Sequence, residues 1–313
     1  MEIKRCFVVD DLHRCIIDLL EQEGIRVDYE PTLERTEILE RLPEYDALLI
    51  RSKTVIDKSF LKHAKKLKVI GRAGAGLDQI DETAVKELGI QLINAPEGNR
   101  TAVGEHAVGM LLAMMNNLHC ANTQVGQRVW MREFNRGYEI EGKTVGIIGY
   151  GNMGKAFAKC LTGFNCEVIA FDKYAVNYTD KYATAVTFEE LTQRADVISL
   201  HIPLTEDSLY QVDQRFFDQF KKPIWFINTA RGKVTSLEAL IDALDKGVVR
   251  GAALDVLENE KMPTYTEKEI KILENLVERE NVIFTPHVAG WTFESHEKIS
   301  QILAKKLLDL ITN

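Results

Sequence analysis

An α/β fold of two doubly wound domains is expected from three features of the sequence. Short runs rich in Val, Ile and Ala alternate with helix-period patterns from end to end, as in parallel sheets with crossover helices. One run leads directly into a glycine-rich turn at 149–154 that opens a helix. A chain of 313 residues exceeds what one small core needs and suits two α/β domains of ordinary size.

The elements follow in order. The first series takes strands at Cys6–Val9, Arg26–Tyr29, Ala47–Ile50, Val69–Gly71 and Gln91–Ile93, with helices such as His13–Glu23 and Asp81–Leu88 between them. A helical stretch begins near Thr101 and runs through Glu105, Val108, Leu111 and Leu112 to about Leu118, with little strand character, and reads as a connector. The second series takes strands at Thr144–Ile148, Val168–Phe171, Val197–Leu200, Ile224–Asn228, Ala252–Val256 and Val282–Phe284, apolar enough to be covered on both faces. A last amphipathic helix, about Phe293–Ile311, is too isolated to extend the second sheet and is expected to return to the first domain. The expected domains are 1–94 plus 291–313, and 95–290, joined by two helical crossings, with ligands in a cleft where strand C-termini converge.

Composition excludes several functions. A net charge of −8 disfavours nucleic acid and anionic membrane surfaces, so an anionic substrate has to meet a local basic pocket. Five cysteines, Cys6, Cys15, Cys120, Cys160 and Cys166, show no Cys-x-x-Cys spacing and read as reduced, with no metal site expected. The N-terminus reads as a strand rather than a signal peptide, and Ala107–Met115 is far shorter than the roughly 20 residues a membrane span requires. A soluble, cytoplasmic protein is expected.

The turn Gly149-Tyr150-Gly151-Asn152-Met153-Gly154 follows a strand and opens a helix. Gly149 permits the tight turn, Gly151 lets backbone amides approach a pyrophosphate, and Gly154 lets the helix pack closely, its positive end at the phosphates. Asp172, ending the next strand, lies at the offset of a carboxylate that accepts from ribose hydroxyls, favouring NAD over NADP. Its other reading is a turn cap, and neighbouring Lys173 leaves some NADP use open. This is a Rossmann signature.

Three further residues lie at or just past the ends of later strands: Arg231, Glu260 and His287. Arginine's planar fork suits a substrate carboxylate. Histidine suits a carbinol proton, because hydride loss from carbon must be coupled to proton loss from oxygen. Glu260 is placed to bond the other ring nitrogen and favour imidazolium. Each has a plain alternative as a surface or loop residue; the combination carries the reading. Asp255 is a candidate for the nicotinamide amide or for a cap.

These residues resemble the D-isomer-specific 2-hydroxyacid dehydrogenase family over essentially the whole chain. Besides 149–154, the segments Gly71-Arg72-Ala73-Gly74-Ala75-Gly76-Leu77-Asp78, Asn94-Ala95-Pro96-Glu97-Gly98-Asn99, His201-Ile202-Pro203-Leu204-Thr205, Asn228–Gly232, Gly251–Asp255 and Pro286–Gly290 stand in family order. The resemblance implies a Rossmann NAD-binding domain and a flavodoxin-like, discontinuous substrate domain. It implies substrate binding by Arg231, support of the histidine by Glu260, and acid/base work by His287. It implies NAD contacts at Asn152, Met153, Asp172, Pro203, Thr205, Ala230, Asp255 and Gly290. It also implies a homodimer paired through the nucleotide domain, with 101–122 a plausible contact; Met114 and Met115 there are equally read as core.

Within the family, Arg51-Ser52-Lys53-Thr54 and Gly71-Arg72-Ala73-Gly74 look most like the D-3-phosphoglycerate dehydrogenases, in a short form without the C-terminal regulatory domain, so that serine feedback through such a domain is not expected. Arg51, Lys53 and Arg72 would then form the basic pocket, with Ser52, Ala73 and Gly74 beside them; the plain reading is solvated loop charges. Two departures bear on the substrate: Lys261-Met262 replaces the proline that commonly follows the glutamate, and Trp291 replaces a small hydroxyl residue. Trp291 is read equally as lining the substrate mouth or stapling the last helix. The competing readings are a glyoxylate, hydroxypyruvate or other 2-keto acid reductase and, from another class, a non-enzymatic NAD-sensing corepressor-like protein, against which stand the acidic balance and the lack of disordered tails.

Overall fold

A computed structural model describes residues 1–312; Asn313, the last residue of the expected discontinuous domain, lies outside them. The chain forms two compact units, Met1–Arg100 with the segment from Trp291 onward, and Thr101–Gly290. Each is built on one parallel sheet.

In the first unit, β1 (Arg5–Val8), β2 (Arg26–Tyr29), β3 (Ala47–Ile50), β4 (Val69–Arg72) and β5 (Gln91–Asn94) lie in the order β2-β1-β3-β4-β5. Every pairing is parallel. The chain winds one way from β1 and then the other, which is the flavodoxin-like order and puts a topological switch point between β1 and β3. The four residues of β3, Ala-Leu-Leu-Ile, are all buried, as a central strand covered on both faces requires. Helices α1 (Cys15–Glu21), α2 (Arg35–Arg41), α3 (Lys58–Leu61) and α4 (Glu82–Glu87) make the crossovers. Asp57 and Asp81 start α3 and α4 by accepting the amides of Phe60 and Ala84.

The chain then enters α5 (Pro96–Met115) and α6 (Leu118–Gly126). In the second unit β6 (Thr144–Ile148), β7 (Glu167–Phe171), β8 (Thr184–Ala185), β9 (Val197–Leu200), β10 (Ile224–Asn228), β11 (Val249–Leu254) and β12 (Val282–Phe284) lie in the order β12-β11-β10-β9-β6-β7-β8. This is the Rossmann order, with its switch point between β6 and β9. Helices α7 (Asn152–Cys160), α8 (Phe188–Arg194), α9 (Gln214–Phe217), α10 (Leu237–Asp245) and α11 (Glu267–Val277) cover the sheet.

After the second unit, α12 (Phe293–Thr312) belongs to the first. Ile299, Leu303, Ala304 and Leu307 are buried in one cluster with Cys6 and Val8 of β1 and Leu49 of β3. Each of the larger side chains contributes roughly 1.5–3 kcal/mol by that burial. A Cβ on Gly98 would stand 2.7 Å from the Ile299 Cα, so only glycine lets α12 pass there. Lys306 anchors the helix with Nζ 2.9 Å from both the Asn94 carbonyl and the Glu97 carboxylate.

Several boundaries differ from the sequence reading. The first division falls at Arg100/Thr101 rather than after Asn94, inside α5. That helix begins at Pro96, not near Thr101, because proline's fixed φ and missing N–H suit a first helical turn. It stops at Met115, and Asn117, in a left-handed conformation at φ 51°, turns the chain into α6. Met114 and Met115 are core residues, 4% and 1% exposed, and not a contact surface. Strand β11 starts at Val249 and ends before Asp255. The two-residue β8 carries no periodicity from which it could be read.

Candidate active site

At the end of β6, Gly149 adopts φ +90°, and a Cβ there would stand 2.6 Å from the His201 carbonyl oxygen. Gly154 packs so tightly that its Cβ would lie 2.2 Å from the Gly149 oxygen. Around Gly151 the opposite holds: a Cβ would meet nothing within 4 Å. Gly151 is the N-cap of α7 and offers no side-chain cap, so the first amides of the helix remain available to an anion. Asn152 is exposed and Met153 half-buried on that first turn. The turn therefore fits a dinucleotide pyrophosphate: two glycines fix its shape and the third leaves it open.

Asp172 follows β7. Its Oδ2 accepts the Tyr150 amide at 2.8 Å, and its Oδ1 accepts those of Tyr174 and Ala175 at 2.9 and 3.0 Å. Burial opposes its charge, but the three amides outweigh burial and hold the carboxyl below the usual carboxylate range. The turn-capping reading is thus observed. An ionised carboxylate has about four acceptor sites, which leaves room for a ribose hydroxyl as well. Lys173 is held by Asp207, Nζ to Oδ2 at 2.8 Å, and the Tyr174 hydroxyl reaches the same oxygen at 3.1 Å.

Pro203 and Thr205 lie in a turn closed by Ser208, whose hydroxyl donates to the Pro203 carbonyl at 2.7 Å. Asn228, fully buried at the end of β10, accepts the Ala230 amide at 2.9 Å and donates to the Arg231 carbonyl at 3.1 Å, which shapes the chain that carries Arg231. Next to it, a Cβ on Gly232 would stand 1.8 Å from the Leu257 carbonyl oxygen, so glycine lets the Arg231 segment lie against the segment leading to Glu260. Glu260 and His287 meet at 2.8 Å, Oε2 to Nδ1, with nearly half of each side chain exposed. A carboxylate only accepts, so Nδ1 carries the hydrogen and Nε2 is the nitrogen left to exchange a proton.

His287 itself has φ +54°, a left-handed conformation uncommon outside glycine. Its loop is built on Asp255, 1% exposed. The carboxylate accepts the Thr285 hydroxyl at 2.5 Å and the amides of Val288 and Ala289 at 2.9 Å each. The Asp255 carbonyl takes the His287 amide at 2.8 Å. Of the two readings of Asp255, the structure shows the capping one: both carboxylate oxygens face the loop that carries the histidine. Gly290 lies in the turn that ends this unit.

In the first unit Arg51 follows β3, at that sheet's switch point. Asp10, 2% exposed, shapes its loop by accepting the amides of Arg51 at 2.6 Å and Lys53 at 3.1 Å and the Thr54 hydroxyl at 2.6 Å. The Arg51 guanidinium lies over the Trp291 ring, 3.4 Å from its centroid, and burial pushes its pKa down, against the pull of Asp11 and Asp10. Trp291 also packs on His296, centroids 4.9 Å apart, so it serves as a platform for Arg51 at the start of α12. The Lys53 ammonium donates to the Pro31 and Leu33 carbonyls at 2.8 and 2.9 Å, which occupies two of its three N–H donors. Arg72 folds back over Gly74, where a Cβ would come within 1.7 Å of its Nη1. Ala73 is buried, its amide donating to the Ile50 carbonyl at 2.7 Å, while Ser52 is exposed.

Residues 108–289 match the D-isomer specific 2-hydroxyacid dehydrogenase, NAD binding domain. The chain belongs to this family. It is 35% identical to a hydroxypyruvate reductase of Thermotoga maritima over 92% of both chains. It is 32% identical to a D-3-phosphoglycerate dehydrogenase of Archaeoglobus fulgidus over 98% of its own length, but spans only 57% of that protein. Among solved structures, a D-lactate dehydrogenase of Aquifex aeolicus complexed with NAD and lactic acid superposes with a TM-score of 0.83 at 26% identity, covering 99% of this chain and 96% of that one. The second unit is thus the NAD-binding domain of a D-2-hydroxyacid dehydrogenase, and NAD is the cofactor its Gly149–Gly154 turn and Asp172 suit.

Two site-building residues escaped the sequence reading. Asp10 stands at the end of β1, where the strand-end rule that found Arg231 applies equally. His106, on α5, bonds to Thr285, with Nε2 3.0 Å from the hydroxyl, and no local pattern marks it.

Proposed function

We propose that this dehydrogenase interconverts a D-2-hydroxy acid and its 2-keto acid, with D-3-phosphoglycerate and 3-phosphohydroxypyruvate as the pair, an entry step to serine biosynthesis. The observation that carries the activity is the 2.8 Å contact of Glu260 with His287 Nδ1, which commits Nε2 to proton exchange. NAD supplies the hydride acceptor for oxidation and, when reduced, the donor for reduction. Arg231 clamps the C1 carboxylate through its fork. His287 takes the C2 hydroxyl proton in oxidation and returns it in reduction, and Glu260 steadies the imidazolium.

The phosphorylated substrate rests on Arg51. Its guanidinium is held over the Trp291 ring, 3.4 Å from the centroid, and a planar fork of N–H donors fixed in this way suits a phosphate. A second reading, hydroxypyruvate without the phosphate, is favoured by Lys53, two of whose three N–H donors are taken by the carbonyls of Pro31 and Leu33, leaving fewer for a phosphate. The two are separated by NADH oxidation with 3-phosphohydroxypyruvate, hydroxypyruvate and glyoxylate, in wild type and Arg51→Ala. A large preference for the phosphorylated acid that Arg51→Ala erases is the expected result. Preference for the unphosphorylated acids would replace the substrate and keep the reaction class.

A homodimer is the accompanying proposal. Val125, Val129, Trp130, Met131 and Phe134 expose apolar surface along one segment, Trp130 to 83%, an arrangement that suits an interface. A cytoplasmic location is proposed with it; all five cysteines are free, and no described helix is long and apolar enough to cross a membrane.

A further inference from the structure

We propose that His106 is a positioning residue for His287: it donates through Nε2 to the Thr285 hydroxyl and thereby closes the clasp that holds the histidine's loop on Asp255. The inference rests on the reading of His287 as the acid/base.

Thr285 Oγ1 lies 2.5 Å from Asp255 Oδ1 and 3.0 Å from His106 Nε2. The carboxylate only accepts, so the single hydroxyl hydrogen points to Asp255 and the hydroxyl oxygen is left to accept. His106 is its donor. The imidazole does not reach the carboxylate directly, since Nε2 stands 3.7 Å from Asp255 Oδ1, beyond hydrogen-bond range. Its hold on Asp255 therefore runs through Thr285. The direction of each bond is fixed by the chemistry of the groups: imidazole to hydroxyl to carboxylate.

The loop needs such a tie. His287 sits at φ +54°, a conformation that strains a non-glycine residue and persists only where surroundings enforce it. Asp255 supplies the enforcement from just past the end of β11, through its carbonyl and both carboxylate oxygens. His106 supplies it from a separate element, and a rigid one: on the same helix, Ala107, Met110, Leu111 and Met114 are buried in the core under this sheet. Without the His106 donor the Thr285 hydroxyl is free to rotate away from Asp255. The loop then loosens, and His287 Nε2 loses its fixed position, although neither the imidazole nor its Glu260 partner has been altered.

The test uses the full chain and two substitutions. Glutamine places an amide N–H where the imidazole Nε2–H was; leucine keeps bulk and removes the donor. Turnover and KM are measured with the 2-keto acid reduced fastest in the panel above, NADH affinity by fluorescence, and amide hydrogen exchange at Val288 and Ala289. His106→Leu is expected to lower kcat about tenfold, the scale of one lost hydrogen bond at a positioned group, with faster exchange at both amides and NADH affinity and KM within about twofold. His106→Gln restores most of both, and in a Thr285→Val background His106→Leu adds nothing. Unchanged kcat and exchange in His106→Leu, failure of glutamine to rescue, or an equal loss of NADH affinity would each overturn the proposal. His287→Asn serves as the control: if it retains turnover, the acid/base reading fails, and the exchange rates of the two His106 variants alone decide whether the clasp exists.

Discussion

Gly151 and Gly154, in the same turn, respond in opposite ways when each becomes alanine. At Gly154 the new methyl would stand 2.2 Å from a backbone oxygen, so backbone must move. Overpacking of that kind costs about 1–3 kcal/mol, of which alanine's better helix propensity returns up to about 1 kcal/mol. For a unit of this size a net loss of up to about 3 kcal/mol lowers Tm by up to about 12 °C. At Gly151 the methyl enters open space, with φ −83° and ψ −151°, so folding is unaffected and Tm holds or rises slightly. That same methyl occupies the place from which the helix amides would reach a pyrophosphate. Loss of one or two charge-assisted hydrogen bonds, about 3 kcal/mol, weakens NADH binding about a hundredfold. The assay pairs thermal unfolding without cofactor with NADH fluorescence titration. If Gly151→Ala binds NADH like wild type, or loses as much Tm as Gly154→Ala, the assignment of one glycine to the ligand and the other to packing is refuted.

Three further outcomes follow from contacts in the NAD-binding domain. Glu260→Gln keeps the shape of the 2.8 Å contact but removes the charge opposite an imidazolium, so keto-acid reduction is expected to slow by about tenfold or more with little change in NADH affinity; steady-state kinetics checks this, and an unchanged kcat would remove Glu260 from the mechanism. Asp207→Ala releases Lys173 and deletes a carboxylate near Asp172, so the ratio of NADPH to NADH affinity should rise a few-fold, the scale of an exposed ion pair, by equilibrium titration; an unmoved ratio would show that Asp172 alone sets the preference. Burial holds the His201 imidazole down at about 3, whereas an unfolded histidine titrates near 6.5. The unfolded chain therefore binds more protons between those values, and stability present above pH 6.5 falls as pH drops, by up to about 1.4 kcal/mol per pH unit. Urea midpoints between pH 7 and pH 5 should slope less steeply in His201→Gln; equal slopes would count against the buried neutral imidazole.

Much of the site was legible because parallel α/β sheets place ligands at strand C-termini, and strand ends can be found from short apolar runs. That rule located the Gly149–Gly154 turn, Asp172, Arg231 and His287, and the Glu260 contact with His287 was anticipated from chemistry alone. Charges were less legible than positions. The resemblance implies Lys53 as a pocket cation, with a solvated loop charge as its plain alternative; the carbonyls of Pro31 and Leu33 lie close enough to hold its ammonium, and nothing local to Lys53 encodes that approach. Trp291 is similar: only the folded first unit shows that Arg51 rests on its face.

By itself the sequence determined the alternation that makes two parallel sheets, the return of the last helix, and the dinucleotide turn, since each depends on periodicity or on glycine sterics within a few residues. The tertiary structure alone decided that Asp255 faces the His287 loop, that Lys173 answers to Asp207, and that His106 reaches Thr285 across 179 positions of chain. Hydrogen-bond partners within about 3 Å are set by how strands and helices pack, and the packing brings together residues whose separation along the chain carries no signal.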